Sequence, residues 1–193
     1  EIGSGLVGSE MCIRDSIVTS EQDGNEVVVM GKAIGYKTDI GEIIDEHKIE
    51  KIFFMEEKSK LNQFELLLKK IPLTEIQTSD EIISYAKLSL GKKLSEGLYL
   101  SLIDHIHFAI ERHHKGFEFK NDLSWELKHF YHHEYLIGKE ALEIIQRRLH
   151  VKLPIDEATT IALHIVNAEM ENDMDRTVGL TKMIKEIMSI IQY

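Results

Sequence analysis

The sequence predicts two fold classes in series, a small β domain followed by an all-α helical bundle. Three observations carry this. From Ile17 to about Met55 the chain is a set of short, β-branched runs broken by glycine-containing turns. After Glu56-Glu57-Lys58-Ser59-Lys60 the apolar residues recur every three and four positions, and they do so to the end of the chain. A hydrophobic fraction of 43% with only 2 prolines supports buried cores and excludes a Pro/Gly-rich disordered chain.

In the β region, Ile17-Val18-Thr19 is followed by Asp23-Gly24, a hairpin-turn pair, and then by the strand Glu26-Val-Val-Val-Met30. A further extended piece is expected at Ala33-Ile-Gly-Tyr36 after Gly31-Lys32. Asp39 and Gly41 mark another turn, and Ile49 to Met55 makes a last strand. Four short strands in about forty residues form a core near the lower limit for independent folding. Dimerisation with two sheets face to face, or docking onto a neighbouring domain, would complete it. Residues 1–16 have no sustained period and lack the basic start and apolar core of a signal peptide, so they read as a non-native leader.

In the helical region, Leu61, Phe64, Leu67 and Leu68 share one face of a connecting helix that stops near Pro72. Ser79-Asp80-Glu81 supplies cap and first-turn acid signals for a helix over Ile82–Leu90. Leu98, Leu102, Ile106, Ala109 and Ile110 form the stripe of a helix ended by Lys115-Gly116. Trp125–His133 reads as a short helix and Glu134–Leu149 as a longer one. Pro154 opens the next, with Asp156 and Glu157 in its first turn, where negative charge suits the helix dipole. Met170-Glu-Asn-Asp-Met-Asp175 is a polar break before a final apolar helix over Thr177–Tyr193.

A net charge of −10 excludes a protein that coats nucleic acid through a basic surface. It leaves room for a compact groove. Residues 17–60 hold six lysines against ten acidic residues, a local sum of −4. One cysteine, Cys12, gives no disulfide framework and fits a reducing compartment. No apolar run reaches the roughly 20 residues that span a bilayer, so a cytoplasmic protein without membrane insertion is expected. No nucleophile elbow, Walker A sequence or dinucleotide fingerprint is present, and neither an enzyme nor a cofactor is expected.

Histidine is the unusual residue: of ten, all but His47 fall from His105 to His164. His105 and His107, two apart on a helix, point to different sides and cannot share a metal. His129 and His133, at i and i+4, could, yet no HExxH and no CxxC completes a site, so no metal is expected. Asp104-His105-Ile106 and Leu163-His164-Ile165 each place an imidazole in an apolar helix. Two readings stand: core histidines satisfied by hydrogen bonds, or two imidazoles lining one cleft near Asp104 and Arg112. The second offers neutral nucleophiles for a phosphoryl group, whose added charge would repack the interface. Gly31-Lys32-Ala33-Ile34-Gly35-Tyr36 combines close backbone approach, a cation and a ring on which a base can stack.

Glu26-Val-Val-Val-Met-Gly-Lys-Ala-Ile-Gly-Tyr36 with Asp45-Glu-His-Lys-Ile-Glu-Lys-Ile-Phe53 resembles the co-antiterminator RNA-binding domain of the BglG/SacY/LicT antiterminators. Asp104 to Arg112 and Leu153 to Ala158, continued through Ala162 to Glu169, resemble the first PTS regulation domain of the same family. The resemblance implies a four-stranded antiparallel β domain that dimerises and binds a hairpin in nascent messenger RNA, preventing a terminator and so allowing sugar-utilisation genes to be read. It also implies phosphorylation of His105 and His164, supported by Asp104 and Arg112, and RNA contact at Gly31, Lys32 and Tyr36. The implied partners are a sugar-specific transporter component of the phosphotransferase system, the phosphocarrier HPr acting on a second regulation domain, and a second copy of the chain in a homodimer.

The organisation that follows is a leader over 1–16, an incomplete RNA-binding domain over 17–58 with its first strand missing, and a linker helix over 59–72. The first regulation domain spans 73–172, and 173–193 is the start of a truncated second one. Lys32-Ala33 stands where the family has Arg-Gly, which keeps the charge but loses a bidentate fork. Tyr36 replaces phenylalanine and keeps the ring. With the Asn-containing first strand missing, weak RNA binding is expected. The alternative is a DNA-binding activator carrying the same helical module, which requires a helical N-terminal domain. A third reading is a metal-binding helical protein with an unrelated β extension.

Overall fold

The computed structural model describes residues 6–22, 24–36, 41, 43–54, 58–117, 120–170, 178–179, 181–183 and 186, without the side chains of 6–12, 14 and 170. The chain divides into two compact units, Glu1–Ile71 and Pro72–Tyr193. Asp23, Asp39 and Met55 lie outside the described residues. So does most of the expected Thr177–Tyr193 helix, whose described members, Val178, Gly179, Thr181 to Met183 and Glu186, are helical.

The first unit is built on an antiparallel sheet of β1 (Leu6–Arg14), β2 (Ile17–Gln22), β3 (Asn25–Gly31) and β4 (Ile49–Phe54), in chain order. Gln22 pairs with Asn25 across a two-residue loop, with Gly24 at φ 80, as the hairpin signal requires. The register then sets both faces. Val18 lies opposite Val29 and Val29 opposite Ile52, and these join Val27, Ile34, Ile44 and Ile49 in one cluster. On the other face Val28 lies opposite Phe53, which meets Phe64 edge-on at 5.0 Å between ring centroids. Phe64 belongs to α1 (Lys58–Lys70), whose Leu61, Phe64 and Leu68 are buried. The connecting helix is therefore the second layer that so small a sheet needs.

Two sequence expectations change here. The first strand is present as backbone: Leu6–Arg14 forms the sheet edge and pairs with β2 across the Asp15-Ser16 turn. Ladder hydrogen bonds come from the main chain, and an edge strand needs only one neighbour, so the absence of a side-chain pattern did not prevent pairing. The expected strand at Ala33–Tyr36 is instead a turn. Ala33 sits at φ 52, and Gly35 N–H donates to the Asp15 carbonyl at 2.8 Å, binding this turn to the β1–β2 turn. A left-handed residue cannot continue a strand.

The second unit holds α2 (Leu73–Leu90), α3 (Gly97–His114), α4 (Ser124–Phe130), α5 (His132–Leu149) and α6 (Asp156–Met170). Pro72 separates α1 from α2, because it has no N–H to donate and its carbonyl instead accepts from Glu75 and Ile76. Helix α2 thus begins well before the cap read at Ser79. The Ser79 hydroxyl is buried and donates back to the Glu75 carbonyl at 2.8 Å, the alternative use of a serine inside a helix. Gly91 ends α2 in the left-handed region at φ 63. The short helix expected over Trp125–His133 breaks at Tyr131, which separates α4 from α5.

Helix α5 packs on α2 and α6, and α3 packs on α2 and α6. At Gly138 of α5 an added Cβ would run into the Ala158 carbonyl of α6, so the missing side chain sets how closely these two helices approach. The core between them is aliphatic, with Ile82, Leu102, Ile106, Ile145 and Ile161 almost fully buried. Among the described residues no helix is long and apolar enough to cross a membrane.

Candidate functional site

Helices α3 and α6 each carry two polar residues seven positions apart, which places them on one helix face. On α3 these are His105 and Arg112, and on α6 they are Glu157 and His164. The helices pack with the pairs opposed: His105 faces His164, and Arg112 faces Glu157. The two imidazole centroids lie 5.0 Å apart with a 40° tilt. Glu157 sits between the levels. One of its oxygens accepts a hydrogen bond from Arg112 Nη2, and the other lies 3.2 Å from His105 Nε2. That second approach is an ion-pair distance without the alignment of a hydrogen bond.

The electrostatics follow from burial. The Glu157 side chain is 1% exposed and that of His105 12%. Burial raises the Glu157 carboxyl, but the His105 imidazole and the Arg112 guanidinium outweigh this and hold it below its ordinary value. Burial, reinforced by the nearby His105, pushes His164 down to about 3, so its ring is neutral at physiological pH. The Arg112 guanidinium also stacks over the Phe108 ring at 5.0 Å. Each imidazole buries one nitrogen without a hydrogen-bond partner among the described residues, Nε2 on His105 and Nδ1 on His164. A neutral His164 ring and the His105 ring stand beside the Arg112–Glu157 ion pair with little solvent, an arrangement that can accept a charged group.

The sequence-derived residues are thus brought together in part. His105, His164 and Arg112 converge. Asp104 is exposed and enters none of these contacts. Glu157 was read only as a first-turn acid, yet it joins the two levels of the site. The signal that identifies it is the shared seven-residue spacing of His105 with Arg112 and Glu157 with His164. Three of the remaining histidines have partners elsewhere. His107 Nδ1 lies 2.8 Å from Glu75 Oε2, His129 Nδ1 donates to the Trp125 carbonyl at 2.7 Å, and His133 Nε2 meets Ser89 Oγ at 3.1 Å. His129 and His133 sit on different helices, which removes the i,i+4 geometry a metal would need. Among the described residues no group of three or more His, Cys, Asp or Glu is placed to hold a metal ion.

In the first unit, Gly31, Lys32 and Tyr36 lie at one end of the sheet. Gly31 N–H donates to the Ser16 carbonyl at 3.0 Å, and an added Cβ would strike the Lys48 carbonyl. Gly31 is therefore required by the fold itself. Lys32 is exposed and the Tyr36 ring is 58% exposed, so a cation and an aromatic face stand on the surface of the same turn.

Comparison with known proteins gives a consistent answer for both units. Residues 14–62 match the CAT RNA binding domain and residues 80–168 match the PRD domain. The chain is 48% identical over 176 residues to transcription antiterminator LicT of Bacillus subtilis (strain 168), covering 91% of this chain and 63% of that protein. It is 43% identical over 182 residues to the beta-glucoside operon antiterminator of Dickeya chrysanthemi, covering 94% and 64% respectively. The chain therefore spans a little under two thirds of the length of these relatives. The crystal structure of GlcT CAT-PRDI superposes with a TM-score of 0.76 at 29% identity, covering 86% of this chain and 99% of that one. A DNA-binding N-terminal domain, which had to be helical, is not what the first unit contains.

Proposed function

The chain belongs to the BglG/LicT family of transcription antiterminators, and from that premise we propose that it binds a hairpin in nascent messenger RNA under the control of histidine phosphorylation. Binding keeps an overlapping terminator from forming, so that a sugar-utilisation operon is transcribed. It is a regulator and not an enzyme. The observation that carries the reading is the opposed pair His105 and His164, two imidazoles 5.0 Å apart beside the Arg112–Glu157 ion pair.

In this proposal His105 and His164 accept phosphoryl groups from a sugar-specific transporter component of the phosphotransferase system. Arg112 and the exposed Asp104 support the site. HPr acts on a second regulation domain. Each phosphoryl group brings about two negative charges into a packed α3–α6 interface, enough to change how the helices meet. The β unit takes the hairpin at the Gly31–Tyr36 turn: backbone approach at Gly31, one phosphate contact from Lys32, base stacking on Tyr36. A homodimer doubles that surface, and the exposed Ile43 and Phe54 offer apolar area for a second copy.

The test has two arms. With the phosphotransferase proteins and labelled phosphoenolpyruvate, label should enter the chain and be lost in the double variant His105→Ala/His164→Ala. In a gel shift, a hairpin RNA should bind the wild-type chain and bind Lys32→Ala and Tyr36→Ala less tightly. A folded chain that takes no label on either histidine refutes the regulatory half. Equal binding by wild type and both turn variants refutes the RNA site.

A further inference from the structure

We propose that Glu157 is a positioning residue that selects Nδ1 of His105 as the phosphoryl acceptor. The inference rests on the reading of His105 as a phosphorylation site and adds which nitrogen reacts and why.

The geometry is specific to one edge of the ring. Nε2 of His105 is buried and 3.2 Å from a Glu157 oxygen, while the side chain as a whole keeps 12% of its exposure. The exposure that remains to a donor therefore lies on other atoms of the side chain and not on Nε2. A carboxylate at that distance favours a proton on the nitrogen it faces, which leaves the lone pair on Nδ1. Arg112 holds the other Glu157 oxygen, so the carboxylate stays ionised and cannot turn away without losing its partner. A carboxylate facing the non-reacting nitrogen is the arrangement that fixes tautomer and ring orientation in nucleophilic and metal-binding histidines.

The chemical step balances with these groups alone. The Nδ1 lone pair attacks the phosphorus carried by the donor's phosphorylated side chain. The donor's bond to phosphorus breaks, its electron pair returns to the donor, and an N–P bond forms on His105. No proton leaves in the step. The ring becomes a cation that keeps its Nε2 proton, and the facing Glu157 carboxylate stabilises that cation. Attack through Nε2 would require Glu157 to be displaced from between His105 and Arg112.

The experiment uses the full chain labelled with 15N in histidine. Before any phosphorylation, the His105 ring nitrogens should report a protonated Nε2 and a bare Nδ1. Glu157→Gln should give a mixture of tautomers, and Glu157→Asp should retain the wild-type form. After incubation with the phosphotransferase proteins and phosphoenolpyruvate, the wild-type phosphoryl group should sit on Nδ1. Uptake at His105 should fall about tenfold to a hundredfold in Glu157→Gln, the range seen when an orienting carboxylate is lost. Phosphorylation of wild-type His105 on Nε2, or a wild-type tautomer with the proton on Nδ1, overturns the inference without needing any variant to fold. So does an unchanged tautomer in folded Glu157→Gln. A wild-type His105 that keeps the Nε2 proton yet takes no phosphoryl group overturns the proposed function instead.

Discussion

At the scale of single residues, the buried pair His164 and Glu157 makes the helical unit sensitive to acid, and the sign can be worked out for each. His164 is pushed down to about 3 from 6.5, chiefly by burial and then by His105. Between those values the unfolded chain binds a proton that the folded chain refuses, so stability is lost as pH falls through that window. Burial raises Glu157, but His105 and Arg112 lower it further, leaving it below 4.5. Its contribution is present above 4.5 and lost as pH falls below it. The unfolding free energy should thus lose nothing to these two groups above about pH 7 and fall on acidification, by at most ~1.4 kcal/mol per pH unit for each proton. His164→Gln should remove the decline between about pH 6.5 and 4.5 and lessen it below that, leaving the part due to Glu157. An unchanged curve in that variant would remove His164 as the cause. The turn residues of the β unit separate in a different way. Gly31→Ala should destabilise the first unit by about 1–3 kcal/mol, because a Cβ meets the Lys48 main chain. Lys32→Ala, at an exposed position, should change stability by less than about 0.5 kcal/mol. Denaturant titration of the two variants, set beside their RNA gel shifts, distinguishes a residue the fold needs from one proposed to act only on RNA.

At the scale of elements, α1 is as much a part of the small sheet as its strands are. Phe64 of α1 is fully buried and meets Phe53 of β4. Phe64→Ala should cost about 3–5 kcal/mol, the range for a truncated buried aromatic, and unfold the first unit at a lower denaturant concentration than the second. If both units instead lose stability equally, the division at Ile71 is not an energetic one. The apolar stripe Leu61, Phe64, Leu68 was plain in the sequence, since a helix with one buried face has a three-and-four spacing. The surface that it covers was not, because spacing within a helix carries no information about a partner fifty residues away or ten. Local signals were legible where the local chain decides: Gly24 and the Pro72 break. They misled where tertiary hydrogen bonds decide. Ala33 takes φ 52 because Gly31 and Gly35 are tied to Ser16 and Asp15, residues that lie on another turn. Ser79 has the chemistry of a cap but is mid-helix, because Pro72 had already opened α2. His105 and His164 stood out as polar residues in apolar helices, while Glu157 was concealed by its suitability for a helix N-terminus.

At the scale of the whole molecule, the charge distribution constrains how RNA is held. The chain carries −10, and residues 17–60 sum to −4, so no broad basic surface is available to neutralise phosphates. In the proposed complex, affinity comes from few ionic contacts together with stacking and shape at the end of the sheet, where Lys32 and Tyr36 are exposed. Counterion release turns this into a measurable slope. Each phosphate neutralised contributes roughly −0.7 to −0.9 to the dependence of log K on log salt. One lysine from each protomer of a homodimer corresponds to about −1.4 to −1.8, and a few additional cations to about −3 at most. A protein that binds by coating phosphates with a basic face would give a far steeper line. Hairpin affinity measured across a series of salt concentrations should therefore fall only modestly, and Lys32→Ala should reduce the slope by about one or two contacts' worth rather than merely lower the affinity. A steep dependence that Lys32→Ala leaves untouched would place the RNA on another surface. That outcome would also separate the Gly31–Tyr36 turn from the work of the domain, leaving it a structural corner that holds β3 and β4 in register.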